Sequence, residues 1–400
     1  MNKVATLPLQ GLKILDLSQI MAGPFCTMVL ADYGAEVIKI EKPGTGDDSR
    51  EMGPFVDGES LCFAHINRNK KGIVLNLKDA RCRDIFDKLV KWADVVVENY
   101  RVGVTKKLGV DFESLKKINP RLIYCSISGY GQTGPYATRG GFDLVAQGMT
   151  GIMSMTGEPG GRPLKSGIAI YDIGAGLTAT YSILAAYVHQ LKTGEGQHID
   201  VSLAECGLPW FTWEAAAYFT DGTIPEATGS RHRVSAPYQA LRTGNGYIII
   251  GAANQRTWEK MCAAVIDRPD LLEDPRFATN MDRMRNVDAL EAILERELAS
   301  ADAQTWIERC DKAGVPCGPI NDFGAAMKDR HYIERGMIEE VDHPTIGRMK
   351  MIGIPGKLSL TPGSVRTSAP TMGRDTDDVL RLFGVPQAEI ETLRSERVIQ

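Results

Sequence analysis

Asp172 lies in Ser166-Gly-Ile-Ala-Ile-Tyr-Asp172-Ile-Gly174-Ala-Gly176, where a loop runs into a long apolar helical stretch. An aspartate at such a junction can cap the helix, its carboxylate accepting the first-turn N–H groups that have no partner within the helix. It can also act as a nucleophile, provided an acyl carbon can reach it. Gly174 and Gly176 favour the second use: each costs about 1 kcal/mol relative to alanine inside a helix, and their missing side chains would open space beside the carboxylate. The spacing Gly129-Tyr-Gly131-Gln-Thr-Gly134 has the outline of a phosphate-cradling turn, directly after the strand-like Leu122–Ser128. A dinucleotide site needs a helix to open there. Pro135-Tyr-Ala-Thr-Arg-Gly140-Gly141 follows instead, which reads as a flexible loop. The six histidines, His65, His189, His198, His232, His331 and His343, are dispersed, and none sits in a recognisable nucleophile setting with Ser or Cys. Eight cysteines without a CxxC pair or a zinc-type spacing read as reduced structural thiols, and no metal site is expected.

Short β-rich runs and helical stretches alternate to position these residues. Leu12–Leu17, Glu36–Ile40, Gly72–Leu77, Asp94–Val97 and Leu122–Ser128 read as strands, with Pro24–Tyr33 and Arg81–Trp92 as helices between them. Such βαβ alternation implies an α/β fold with a parallel sheet covered by helices. Lys42, Lys78 and Lys106-Lys107 follow predicted strand ends, the edge where open α/β sheets hold their ligands, and would suit a phosphorylated one. Residues Ile173–Leu191 are apolar almost all round and predict a buried helix. Beyond about residue 220 the texture changes to Gly/Ser/Arg-rich segments, a hairpin around Asn245-Gly246 and helices from Trp258 to Lys312, which predicts a second, smaller domain.

Composition narrows the function. The chain has 400 residues, 43% hydrophobic and 24% charged, with a formal net charge of −4, as expected of a globular protein of two domains. Without blocks of Lys or Arg it has no footprint of a nucleic-acid or anionic-membrane binder. The first thirty residues show no signal-peptide core and no run approaches a membrane span, so the expected location is cytoplasmic.

Gly11-Leu-Lys-Ile-Leu-Asp-Leu-Ser18, Ala22-Gly-Pro24, Gly34-Ala-Glu-Val-Ile-Lys-Ile-Glu41, Asn69-Lys-Lys71, Ala93-Asp-Val-Val-Val-Glu-Asn99 and Gly129-Tyr-Gly131 occur in that order. So do Thr193-Gly-Glu-Gly-Gln197, Asp274-Pro-Arg-Phe277, Gly314–Pro319 and Ala369-Pro370. Together they resemble the class III coenzyme A-transferases, such as formyl-CoA and carnitine-CoA transferases, over nearly the whole chain. The resemblance implies a doubly wound parallel-sheet large domain formed by both chain ends, a smaller α+β domain, and a homodimer of interlinked rings. Residues 1–215 would form the N-terminal part of the large domain, 216–325 the small domain, and 326–400 a linker and return to the large domain. Asp172 takes the position of the nucleophilic aspartate, which would move CoA from an acyl-CoA, succinyl-CoA among the donors, to a small organic acid through an aspartyl-CoA thioester. Met21, Lys42, Leu75, Lys78, Asn99 and Lys107 would line the CoA site. Formyl-CoA transferase has Arg at the positions of Lys42 and Lys107, and a four-glycine loop for which Arg231-His-Arg-Val-Ser235 offers no counterpart.

The partners so implied are acyl-CoA and carboxylic acids, with the CoA thioester a substrate and no permanently bound cofactor. Arg139, Arg162 and Lys165 flank Asp172 in sequence and are candidates for a second substrate carboxylate. The related α-methylacyl-CoA racemases need a histidine base in Gly-His-Asp, and this chain has Gly141-Phe142-Asp143, whose ring takes no proton. A nicotinamide-dependent dehydrogenase would need the glycine fingerprint after the first strand, where Ser18-Gln-Ile-Met-Ala-Gly23 stands.

Overall fold

The computed structural model describes residues 7–400. Six strands form one wholly parallel sheet: β1 (Lys13–Asp16), β2 (Glu36–Glu41), β3 (Lys70–Val74), β4 (Val95–Glu98), β5 (Ile123–Ser128) and β6 (His198–Ser202). Their order is β3-β2-β1-β4-β5-β6. The chain therefore winds outward from β1 and then restarts at β4 on its other side, leaving a crevice at the carboxyl ends of these two strands. Val95, Val96 and Val97 are wholly buried, because a parallel sheet covered on both faces admits no polar alternation. Helices α1 (Ala22–Asp32), α2 (Arg81–Trp92), α3 (Asp143–Thr150) and α4 (Ile170–Thr193) belong to the same unit.

Two compact units divide the chain: residues 1–150, 166–215 and 330–400 form one, residues 151–165 and 216–329 the other. In the first, Val379, Leu380, Ile390, Leu393 and Ile399 share a core with Leu15, Ile38 and Phe86, so both chain ends build it. Leu75 pairs with Ile399, and the Thr376 hydroxyl accepts the Val74 N–H at 3.1 Å. In the second unit, strands Tyr238–Arg242, Tyr247–Gly251 and Cys317–Pro319 form an antiparallel sheet around a core of its own. The hairpin expected there is present, its turn centred on Gly244-Asn245 and closed by Thr243 N–H to the Gly246 carbonyl at 2.8 Å. Residues 151–165, placed by the sequence in the large domain, group with this second unit.

Beneath the crevice lies a buried set of charges. Lys70 donates to Asp16 Oδ2 (2.9 Å), the Pro24 carbonyl (2.9 Å) and Asn67 Oδ1 (2.8 Å), using all three of its N–H bonds. Asp16 also accepts the Thr27 hydroxyl at 2.7 Å and both the N–H and hydroxyl of Ser18. Burial alone would raise the Asp16 carboxyl, but Lys70 and Lys39 hold it well below the usual carboxylate range. These bonds fix the start of α1 and the loop before it. Lys70→Met should therefore strip a buried carboxylate of its ion-pair partner and cost about 3–5 kcal/mol. Urea unfolding checks this, and the double variant with Asp16→Asn is expected to recover part of the loss.

Candidate active site

At the carboxyl ends of β1, β4 and β5 lies a cavity of about 410 Å³, into which the loop before α1, residues 139–142 and Asp172 all reach. A cavity at this edge follows from the strand order rather than from any one loop. The loop is over-determined. Asn99 accepts the Gln19 N–H at 2.8 Å and returns its own amide to the Gln19 carbonyl at 2.7 Å. Ile20, β-branched yet at φ +68°, donates its N–H to Asp47 at 3.0 Å. Asp47 is held by fully buried Lys39 at 2.8 Å, whose ammonium also donates to the Ser18 carbonyl at 2.8 Å. A left-handed isoleucine persists only where its surroundings compel it, and such strain gathers at functional loops.

Asp172 is the third residue of α4, not its cap. The residue before the helix, Ala169, has no side-chain oxygen to cap it, and the capping acceptor comes from elsewhere. Asp143 Oδ1 accepts the Tyr171 N–H at 2.7 Å and, more loosely, the Asp172 N–H at 3.4 Å. Asp143 Oδ2 in turn accepts the Gln147 amide at 2.6 Å, and Gln147 Oε1 accepts the Ser166 N–H at 2.8 Å. Because Asp143 performs the capping, the Asp172 carboxylate makes no hydrogen bond or ion pair among the described residues. Burial, and secondarily the neighbouring Asp143 charge, pushes its carboxyl up to about 6. The positive end of the α4 dipole opposes that rise, but Asp143 already occupies it.

The sequence led us to expect that Gly174 and Gly176 open space beside the carboxylate, but other groups fill the gaps they leave. A Cβ on Gly174 would lie 2.3 Å from the Trp210 ring, and one on Gly176 would lie 2.7 Å from the Ala22 carbonyl oxygen. They are packing glycines, which let Trp210 and α1 approach α4. Gly129 has a similar use: its Cβ would stand 2.7 Å from the Cα of Gly141, so the two backbones touch and hold the 137–142 loop over the end of β5. No helix opens after Gly134, and the next one begins at Asp143.

Of the residues expected at a CoA site, Met21, Lys42 and Asn99 line the cavity with Asp172. Lys42 is exposed and 2.5 Å from Asp48. Leu75 does not line it; its side chain is fully buried in the large-unit core because the chain there continues alongside Ile399. Lys78 and Lys107 are exposed side chains outside the lining. Of the candidates for a substrate carboxylate, Arg139 lines the cavity, whereas Arg162 and Lys165 are exposed residues of the second unit. Phe142 is in the wall, and no histidine is among the lining residues. Sequence reasoning passed over Asp143 and Gln147 as a pair. Their signal was an acid and an amide four residues apart, able to meet on one helix face.

A folded-state carboxyl raised from 3.8 to about 6 binds its proton more tightly than in the unfolded chain. Its ionisation therefore removes stability as pH rises through that window, and the loss is complete above it. Asp172→Asn should accordingly be more stable than the parent at pH 8, by about 1–3 kcal/mol, and the gap should close by pH 4. Chemical denaturation at the two pH values measures it; a variant less stable at pH 8 contradicts the assignment.

The sequence profile of CoA-transferase family III matches residues 9–376. The chain is 38% identical over 395 residues to succinyl-CoA:glutarate CoA-transferase of Mus musculus, covering 98% of this chain and 90% of that protein. Over 384 residues it is 40% identical to acetyl-CoA:oxalate CoA-transferase of Acetobacter aceti, covering 96% and 97%. Among solved structures, a CAIB/BAIF family protein from Brucella suis superimposes with a TM-score of 0.84 at 38% identity, covering 94% of this chain and all of that one.

Proposed function

This chain belongs to CoA-transferase family III, and we propose that it moves CoA between an acyl thioester and a small organic acid through a thioester formed on Asp172. One observation carries the choice of residue: in the cavity at the sheet's switch point, the Asp172 carboxylate is relieved of capping by Asp143 and has no hydrogen-bonding partner among the described residues. On this route the carboxylate attacks the donor carbonyl, and the C–S bond breaks to give a mixed anhydride and CoA thiolate. The thiolate then attacks the aspartyl carbonyl and expels the donor acid as its carboxylate, leaving aspartyl-CoA. An acceptor carboxylate repeats the two steps in reverse order, regenerating Asp172 and releasing the new thioester. CoA enters as substrate, and no resident cofactor takes part. Met21, Lys42 and Asn99 are the proposed CoA contacts within the cavity.

The proposed acids are dicarboxylates, succinyl-CoA being one donor. Arg139 in the cavity wall supports this, as do the names of relatives that act on succinyl-CoA, glutarate and oxalate. Proton transfer by a histidine base has no support, since Phe142 stands where the racemases need it. A cytoplasmic setting is supported by eight cysteines that are all free. A homodimer is supported by α4, on which Leu177, Tyr181, Val188 and Leu191 are exposed, Tyr181 by 62%. Such a row on a surface helix asks for a second apolar face. Light scattering should return twice the chain mass, and Tyr181→Asp should lower it.

Asp172→Asn is expected to cut transfer at least 10³-fold, the scale of losing a covalent nucleophile, while the fold persists. Mass spectrometry of the parent quenched with acyl-CoA should find CoA on residue 172. Near-parental turnover by the variant would falsify the assignment.

A further inference from the structure

Three cations line the cavity that holds Asp172: Lys42, Arg101 and Arg139. Lys42 is matched by Asp48 at 2.5 Å. Neither arginine has a carboxylate within ion-pairing distance among the described residues. Arg139 stacks over the Tyr136 ring at 4.0 Å, and Tyr136 meets Tyr130 edge-on at 5.9 Å. Stacking occupies the flat face of a guanidinium and leaves its N–H edge, which grips a carboxylate with two parallel bonds, available. Arg101 comes in on the neighbouring residue: its Nη2 lies 3.7 Å from where a Cβ on Gly140 would sit. The two unmatched arginines thus share one stretch of wall, Arg101 beside Gly140 in space and Arg139 next to it in the chain. The Gly129–Gly141 backbone contact holds that wall in place.

We infer that Arg101 and Arg139 form a paired clamp for the far carboxylate of a dicarboxylic substrate, and so decide between dicarboxylic acids and monocarboxylic acids of equal length. The inference rests on the transferase reading and adds its specificity device. CoA phosphates share the anionic chemistry. However, the extended pantetheine arm separates them from the reacting sulfur, whereas Arg101 and Arg139 line the same cavity as Asp172. Both arginines line the cavity that holds Asp172, so a dicarboxylic acid with one end at Asp172 offers its other end to this cavity's cations.

The experiment uses acetyl-CoA as donor, so that only the acceptor brings a second carboxylate, and compares glutarate with pentanoate. Parent enzyme should prefer glutarate. In Arg139→Gln and Arg101→Gln the ratio of kcat/KM for glutarate over pentanoate should fall by about 10- to 100-fold, the worth of hydrogen bonds to a charged group. Arg139→Lys, which keeps the charge but not the fork, should fall in between. A ratio unchanged within twofold in both Gln variants overturns the clamp. So do equal losses for the two acids with a raised KM for acetyl-CoA, which would give the arginines to the CoA phosphates. Either result leaves the transferase reading standing. A parent enzyme that transfers CoA to neither acid, from acetyl-CoA or succinyl-CoA, defeats that reading and the clamp with it.

Discussion

A helix cannot begin in a protein interior without something to receive its first N–H groups, and the geometry around Asp172 follows from how α4 meets that demand. Two aspartates stand near its start. Asp143, from the first turn of α3, takes the Tyr171 N–H at 2.7 Å and is itself steadied by Gln147 at 2.6 Å. Gln147 is fully buried and also holds the Ser166 N–H, so the loop leading into α4 is tied to the same network. One carboxylate is consumed by structure and the other is left over. The surplus is destabilising, since a half-buried carboxylate beside a second negative charge is strained relative to water, and folds keep such strain where activity needs it.

The other wall is rigid for a different reason. Lys39, Lys70, Asp16 and Asp47 are buried together beneath the loop that leads into α1, where apolar residues would pack with less desolvation cost. Their bonds, however, end on particular backbone atoms: Lys39 on the Ser18 carbonyl, Asp47 on the Ile20 N–H, Lys70 on the Pro24 carbonyl. Directional bonds to backbone fix a loop as hydrophobic contacts cannot. The left-handed Ile20 and the start of α1 are thereby set against the crevice created by the reversal of strand order between β1 and β4.

The parallel sheet was legible because its strands are continuous apolar runs broken by helices, and five of its six appeared in the sequence pattern. The sixth, His198-Ile-Asp-Val-Ser202, is too polar to stand out. Asp172 was legible as an exceptional position but with two readings, and only Asp143, twenty-nine residues away, decides between them. Gly174 and Gly176 were misread because local sequence gives the absence of a side chain, not what fills the gap. Trp210 and Ala22 supply that in three dimensions. The all-round apolar pattern of α4 predicted burial, yet Tyr181 and Leu191 are more than half exposed in the single chain. Periodicity registers that a face wants cover and is silent on whether the cover comes from the same chain. Leu75 and Lys78 were expected at the site from the family resemblance, but Leu75 pairs with Ile399 and is buried in the core, and Lys78 lies outside the cavity lining.

The environment that lifts the Asp172 carboxyl to about 6 bears on acyl transfer as well as on protons. Protonation and acylation both cancel the negative charge, so burial and the adjacent Asp143 favour either product over the free carboxylate. On the proposed route, the anhydride and the thioester each relieve a repulsion that the resting enzyme carries, which lowers them relative to the starting state. The same lift makes the oxygen more basic and hence a better nucleophile, up to the point where it is no longer ionised. A carboxyl at about 6 is still roughly nine-tenths ionised at pH 7. A stronger push would begin to protonate the proposed nucleophile, and a weaker one would leave an ordinary aspartate. Asp143 therefore has to sit near enough to cap the helix and repel Asp172, and its amide tether to Gln147 sets that distance.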